Sequence, residues 1–140
     1  MNLDSAGLQV LDRAECMVLL SSVPVGRIVF TDRALPAVQP VNFLVVENHI
    51  VIRTGRGSKL AAAARDAVVA FEADEFDAER WTGWSVTAIG QARAVVAPGE
   101  IERLSRLPLT AWAPGDRDHY IVMRIEEVSG RRIRDRVTRR

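Results

Sequence analysis

Lysine is almost absent from this chain. Of 140 residues, 19 are lysine or arginine, and Lys59 is the single lysine among them. Cysteine is as scarce: Cys16 stands alone, which excludes an intramolecular disulfide and a cysteine-rich metal site and fits a reducing cytoplasm. The only histidines, His49 and His119, have no second His or Cys at ligand spacing, so no protein-bound metal is expected. A net charge of +1 supplies no bulk field for nucleic acid or an anionic membrane. No apolar run reaches the roughly 18 residues of a membrane span, and no basic-then-apolar leader opens the sequence. The expectation is one cytoplasmic domain over residues 1–140, binding neither nucleic acid nor membrane, with 1–11 and 135–140 as flexible termini.

Catalytic groups are sparse too. There is no Gly-x-Ser-x-Gly elbow, and Cys16 falls within an amphipathic helix, where a thiol is usually buried and inert. Glu72, Asp74, Glu75, Asp77 and Glu79 cluster in an acidic stretch that reads as a solvated loop rather than a glycosidase carboxylate pair. No catalytic residue is identified. An enzyme of this composition would leave the reaction to a cofactor.

What the chain does have is alternation. Asp12 and Glu15 have the spacing of a capping box, predicting a short helix to about Ser22 that Pro24 stops. Residues 26–30 read as a strand and 31–34 as a turn. Residues 38–46 and 49–54 read as a hairpin around Glu47-Asn48, with Pro36 and Pro40 placing its start at a sheet edge or bulge. A short helix capped by Ser58, a strand over 67–73 and an irregular segment over 74–81 follow. Residues 84–96 form the clearest strand, with Val86, Ala88, Gly90, Ala92 and Ala94 on one face and Ile89 breaking the pattern on the other. Pro98 starts another helix, residues 107–118 form a loop, and two strands close the chain. Short turns between strands predict a mainly β, antiparallel α+β fold, most economically a small barrel with short peripheral helices.

Lys59 ends the segment Arg53-Thr54-Gly55-Arg56-Gly57-Ser58-Lys59, just before an alanine-rich helical run. Tight glycine turns, cationic side chains, two hydroxyls and a helix start make a phosphate-sized anion site; a solvated basic turn is the alternative. An arginine fork and a lysine point charge suit a dianionic phosphate.

Val25-Gly26-Arg27, Pro40-Val41-Asn42-Phe43, the Arg53–Leu60 segment, Gly83-Trp84-Ser85-Val86, Gly90-Gln91-Ala92 and Ser129-Gly130-Arg131-Arg132 together resemble the pyridoxamine 5′-phosphate oxidase-like split-barrel flavoproteins. The resemblance is strongest to the small actinobacterial and nitroimidazole-reductase-like branch and runs from about Asp12 to Ile133. It implies a six-stranded antiparallel split β-barrel, a homodimer, and FMN (in some branches F420) held between subunits. It implies that Arg53, Thr54, Ser58 and Lys59 grip the phosphate, with Arg56 recruited for F420. Asn42 would meet the flavin ring or ribityl chain, and Trp84 and Ser85 would approach the isoalloxazine. Trp112 would cap it from the second subunit. The implied activity is hydride transfer through flavin N5 to a small-molecule redox substrate. The oxidase's closing arginine-x-histidine pair has no counterpart in Gly130-Arg131-Arg132-Ile133-Arg134, which argues against vitamin B6 oxidase activity. The histidine that some nitroimidazole reductases place near their cofactor is also missing from Val68-Val69-Ala70-Phe71. A non-enzymatic carrier or sensor, holding flavin or a haem on His49 or His119, stays open.

Overall fold

The structure, a computed structural model, describes residues 2–55, 57–109 and 119–134. Its first helix, α1 (Arg13–Leu20), begins on the expected capping box: the Glu15 N–H donates to Asp12 Oδ1 at 2.8 Å and the Asp12 N–H returns to Glu15 Oε1 at 3.3 Å. α1 buries Cys16 and Leu20, and burial pushes the Cys16 thiol up from its ordinary pKa, so it is a poor nucleophile at neutral pH.

Six strands make the barrel: β2 (Val25–Asp32), β3 (Leu35–Val46), β4 (His49–Thr54), β5 (Ala67–Asp77), β6 (Thr82–Ala94) and β7 (His119–Arg124). They run in the order β6-β5-β2-β3-β4-β7, and β7 returns to β6 to close the ring, every pairing antiparallel. Two further strands, β8 (Glu127–Ile133) and β1 (Gln9–Leu11), extend the sheet from the other half of β6. Part of the segment expected to be a flexible terminus is therefore a strand: Gln9, Val10 and Leu11 pair with Arg132, Arg131 and Gly130. A three-residue strand carries too little alternation to be read from sequence.

β6 changes partner along its length. Gly83–Ile89 pair with β8, and Ala92–Ala94 pair with β7. Gly90 sits at the change, and a Cβ there would run into the Arg124 carbonyl. Pro36 and Pro40 lie where β3 has only β2 beside it, since β4 joins at Phe43; a missing N–H costs nothing at that open edge. The expected turn over 31–34 shrinks to Arg33-Ala34, both at positive φ (53° and 67°), the two-residue hairpin geometry that twisted strands favour. The acidic stretch is corrected as well: β5 continues to Asp77, because Asp74–Asp77 find partners in Thr82–Ser85. Acidic residues are depleted in strands, so the pattern misled where pairing decided.

The barrel interior holds Ile28, Ile52, Phe71, Val86 and Met123, all fully buried. A second apolar layer lies outside β4 and β7, where α3 (Pro98–Ser105) and residues 107–109 cover Val51, Tyr120 and Val122. Arg93 ties α3 down through a two-pronged bond to Glu100 at 2.9 and 2.7 Å, which holds the Glu100 carboxyl below its usual pKa. Among the described residues no helix is long and apolar enough to cross a membrane.

Candidate anion and cofactor site

β4 ends at Arg53-Thr54, and the chain turns through Gly57 (φ 76°) into α2 (Lys59–Ala63). Ser58 caps α2: its Oγ accepts from the Ala61 N–H at 2.9 Å and lies 3.2 Å from Thr54 Oγ1. The Ser58 oxygen therefore keeps its own proton free to point toward Thr54 or outward. Thr54 is the one buried polar residue of the described core, at 6% exposure. Lys59 is exposed at the mouth of the turn. With α2 only five residues long, the charge for an anion comes from side chains rather than from a helix dipole.

Arg53 faces the outside of the barrel. Its Nη1 donates to the Leu109 carbonyl at 3.3 Å, and its guanidinium lies 5.7 Å from the Tyr120 ring centroid. The next rung beyond the Phe43–Ile52 pair sets Asn42 opposite Arg53 on the same outer face. Beside Asn42, between β3 and the segment that follows α1, opens a cleft of about 450 Å³, lined by Ser22, Pro24, Asn42, Leu44, Pro108 and Leu109 among others. Arg53 meets its wall through Leu109, whereas Thr54, one residue further along β4, turns to the opposite face of the strand and meets Ser58 there.

Trp84 and Ser85 are not part of that cleft within one chain. Trp84 is 7% exposed and lines a separate cleft with Phe76 and Arg132. Ser85 lies on the outer face between Asp74 and Arg131. Continuing the β3–β4 ladder by one rung and the β2–β5 ladder by two sets Arg53, Asn42, Val25, Asp74 and Ser85 in one row across five strands, so Arg53 and Ser85 are four strand spacings apart, roughly 19 Å around a convex surface. Trp112 and Arg56 lie outside the described residues. His49 and His119 sit at opposite ends of the β4–β7 ladder, and no group of three or more His, Cys, Asp or Glu among the described residues is placed to hold a metal.

Two features escaped sequence reasoning. The Tyr120 hydroxyl, beneath Arg53, is buried without a hydrogen-bond partner among the described residues. Removing it should relieve a desolvation penalty: Tyr120→Phe is expected to stabilise the ligand-free protein by about 1 kcal/mol in thermal unfolding. A lower melting temperature would mean that the hydroxyl is satisfied. The other is a triad in which Arg27 Nη1 contacts Glu72 Oε1 at 3.1 Å and Asp74 Oδ2 at 3.2 Å. Only the i,i+2 spacing of the two carboxylates hinted at it; their arginine is 45 and 47 residues away.

A sequence profile of the pyridoxamine 5′-phosphate oxidase family matches residues 12–132. The chain belongs to that family. Within the family and its fold, the chain is 44% identical over 128 residues to the uncharacterized protein Rv0080 of Mycobacterium tuberculosis, covering 88% of this chain and 84% of that one. It is 35% identical to the FAD binding protein of Mycobacterium smegmatis, with a TM-score of 0.74 over 89% of this chain and 97% of that one. A FAD-binding protein of Mesorhizobium loti shares the fold at a TM-score of 0.74 and 22% identity, covering 91% of this chain and 99% of that one. The oxidase-family match spans the whole barrel together with α1, the β4–α2 turn and β8 as far as Arg132.

Proposed function

We propose that this chain binds a flavin and serves as a flavin-dependent oxidoreductase acting on a small-molecule substrate in the cytoplasm. The observation that carries the reading is the donor set Arg53, Thr54, Ser58 and Lys59 at the end of β4, whose Arg53 binds Leu109 in the wall of a cleft of small-ligand size. The chemistry of the set fits a flavin phosphate: a guanidinium fork, an ammonium and two hydroxyls offer several charge-assisted donors. Asn42 would orient the ring or ribityl chain at the cleft wall, and Leu44, Pro108 and Leu109 would exclude water from it. A bound flavin would supply hydride chemistry at its N5 atom.

FMN is our reading, because its single phosphate matches a single donor set. FAD carries the same phosphate–ribityl–ring unit and is what the M. smegmatis protein, at 35% identity, is named for; F420 also presents a phosphate. The ring and a second copy of the chain go together in this proposal. One planar ligand at Arg53 and Asn42 cannot reach Ser85 around the same barrel, so Ser85 and the adjoining Trp84 would come from the partner of a homodimer. The test is the visible spectrum of the purified protein, with titration of FMN, FAD and F420 and mass identification of what is released. Stoichiometric binding of a flavin is expected. A Soret band would transfer the argument to the histidines, and binding of none would end the cofactor reading.

A further inference from the structure

A buried hydroxyl without a partner has given up its water and gained no hydrogen bond in return. Tyr120 is such a group. The residue is 2% exposed, and its hydroxyl meets no hydrogen-bond partner among the described residues. A phenylalanine would fill the same place in the apolar layer outside β4 and β7 without that penalty. The oxygen therefore calls for a reason that packing does not supply.

Its surroundings offer one. Arg53 and Tyr120 stand directly opposite each other on the β4–β7 ladder, with the guanidinium 5.7 Å from the ring centroid. The same guanidinium donates through Nη1 to the Leu109 carbonyl at 3.3 Å. Leu109 is buried in one cluster with Tyr120 and also forms part of the cleft wall. One acceptor in this cluster, the Leu109 carbonyl, is thus engaged by Arg53, while one donor, the Tyr120 hydroxyl, has no acceptor.

We infer that Tyr120 is a positioning residue of the anion site: as Arg53 turns its donors to a ligand phosphate, the Tyr120 hydroxyl takes over the Leu109 carbonyl. This role presupposes the phosphate reading proposed above and adds the rearrangement that loading requires. Without the exchange, Arg53 would leave behind the carbonyl of a buried residue with no donor, a penalty of the kind the hydroxyl carries now. With it, the carbonyl keeps a donor, the hydroxyl gains an acceptor and Arg53 is released to the anion. The unpaired hydroxyl then belongs to the ligand-free protein alone, and pairing it favours the loaded state.

The first experiment is thermal unfolding of the full chain without ligand, with Tyr120→Phe made in two backgrounds. In the wild type the substitution removes an unpaired hydroxyl and should raise the melting temperature. Arg53→Met keeps apolar bulk over the ring but gives up the donors, so there the hydroxyl already has the Leu109 carbonyl and Tyr120→Phe should lower the melting temperature. No flavin enters this comparison. The second is titration with FMN, which Tyr120→Phe should bind about tenfold more weakly than wild type although its ligand-free form is the more stable. A purely structural role would not move stability and affinity in opposite directions. Tyr120 is the chain's one tyrosine, so an isotope label on the tyrosine ζ-carbon gives a single NMR signal. That signal should shift on FMN binding in the direction it takes in ligand-free Arg53→Met. The same sign of Tyr120→Phe in both backgrounds, or wild-type FMN affinity in Tyr120→Phe, overturns the exchange and leaves the phosphate reading standing. A wild-type protein that binds no FMN overturns the phosphate reading and the role of Tyr120 in loading together.

Discussion

Gly90→Ala is expected to leave little well-folded protein. The added Cβ would enter the space of the Arg124 carbonyl and press on the Glu126 amide, where the Glu126 N–H also bonds to the Ile89 carbonyl at 3.0 Å. All the obstructing atoms are backbone, so no rotamer change relieves them. The β7–β8 turn would have to lift from β6, breaking the seam that closes the barrel. Such overpacking costs about 3 kcal/mol or more, a large part of the stability of a domain this size. A fall in melting temperature of about 10 °C or more is the expected reading by circular dichroism. Gly99→Ala, in the first turn of α3 with nothing within 4 Å of the new Cβ, is the companion and should be neutral or slightly stabilising. Equal behaviour of the two variants would refute the strand exchange at Gly90.

Arg53→Ala and Lys59→Ala are each expected to weaken flavin binding strongly. On the proposed reading each removes a cation from the same phosphate, and a hydrogen bond to a charged group contributes about 1.5–3 kcal/mol. Each variant should therefore weaken flavin affinity roughly tenfold to a hundredfold by fluorescence titration, and the pair more. Arg53→Ala also frees the Leu109 carbonyl and uncovers Tyr120, so it should loosen the cleft wall. Lys59 is exposed, and its variant should melt with wild type. That contrast separates a lost ligand contact from a damaged fold. Wild-type affinity in the double variant would remove the phosphate from this turn.

Much of the fold was legible where a local rule dictates it. The Asp12–Glu15 box needs only four consecutive residues, and the hairpin of β3 and β4 is announced by β-branched runs around Glu47-Asn48. β4 has the bounds that the pattern predicts. The Ser58 cap could be read for the same reason. The candidate site was half legible: Arg53, Thr54, Ser58 and Lys59 are neighbours in sequence, whereas Asn42 joins them only through the β3–β4 register. Ile89, which spoils the alternation of β6, belongs to an apolar row that three other strands complete.

By itself, then, the sequence determined the antiparallel barrel class, the capped helices and the basic turn with its single lysine, because periodicity, capping and turn chemistry act over a few residues. Tertiary structure decided which half of β6 meets β7 and which meets β8, that Asp74–Asp77 is strand rather than loop, and that Arg27 stands between Glu72 and Asp74. Those outcomes depend on strand register, and register is set by pairing between segments tens of residues apart, whose partners no local pattern names.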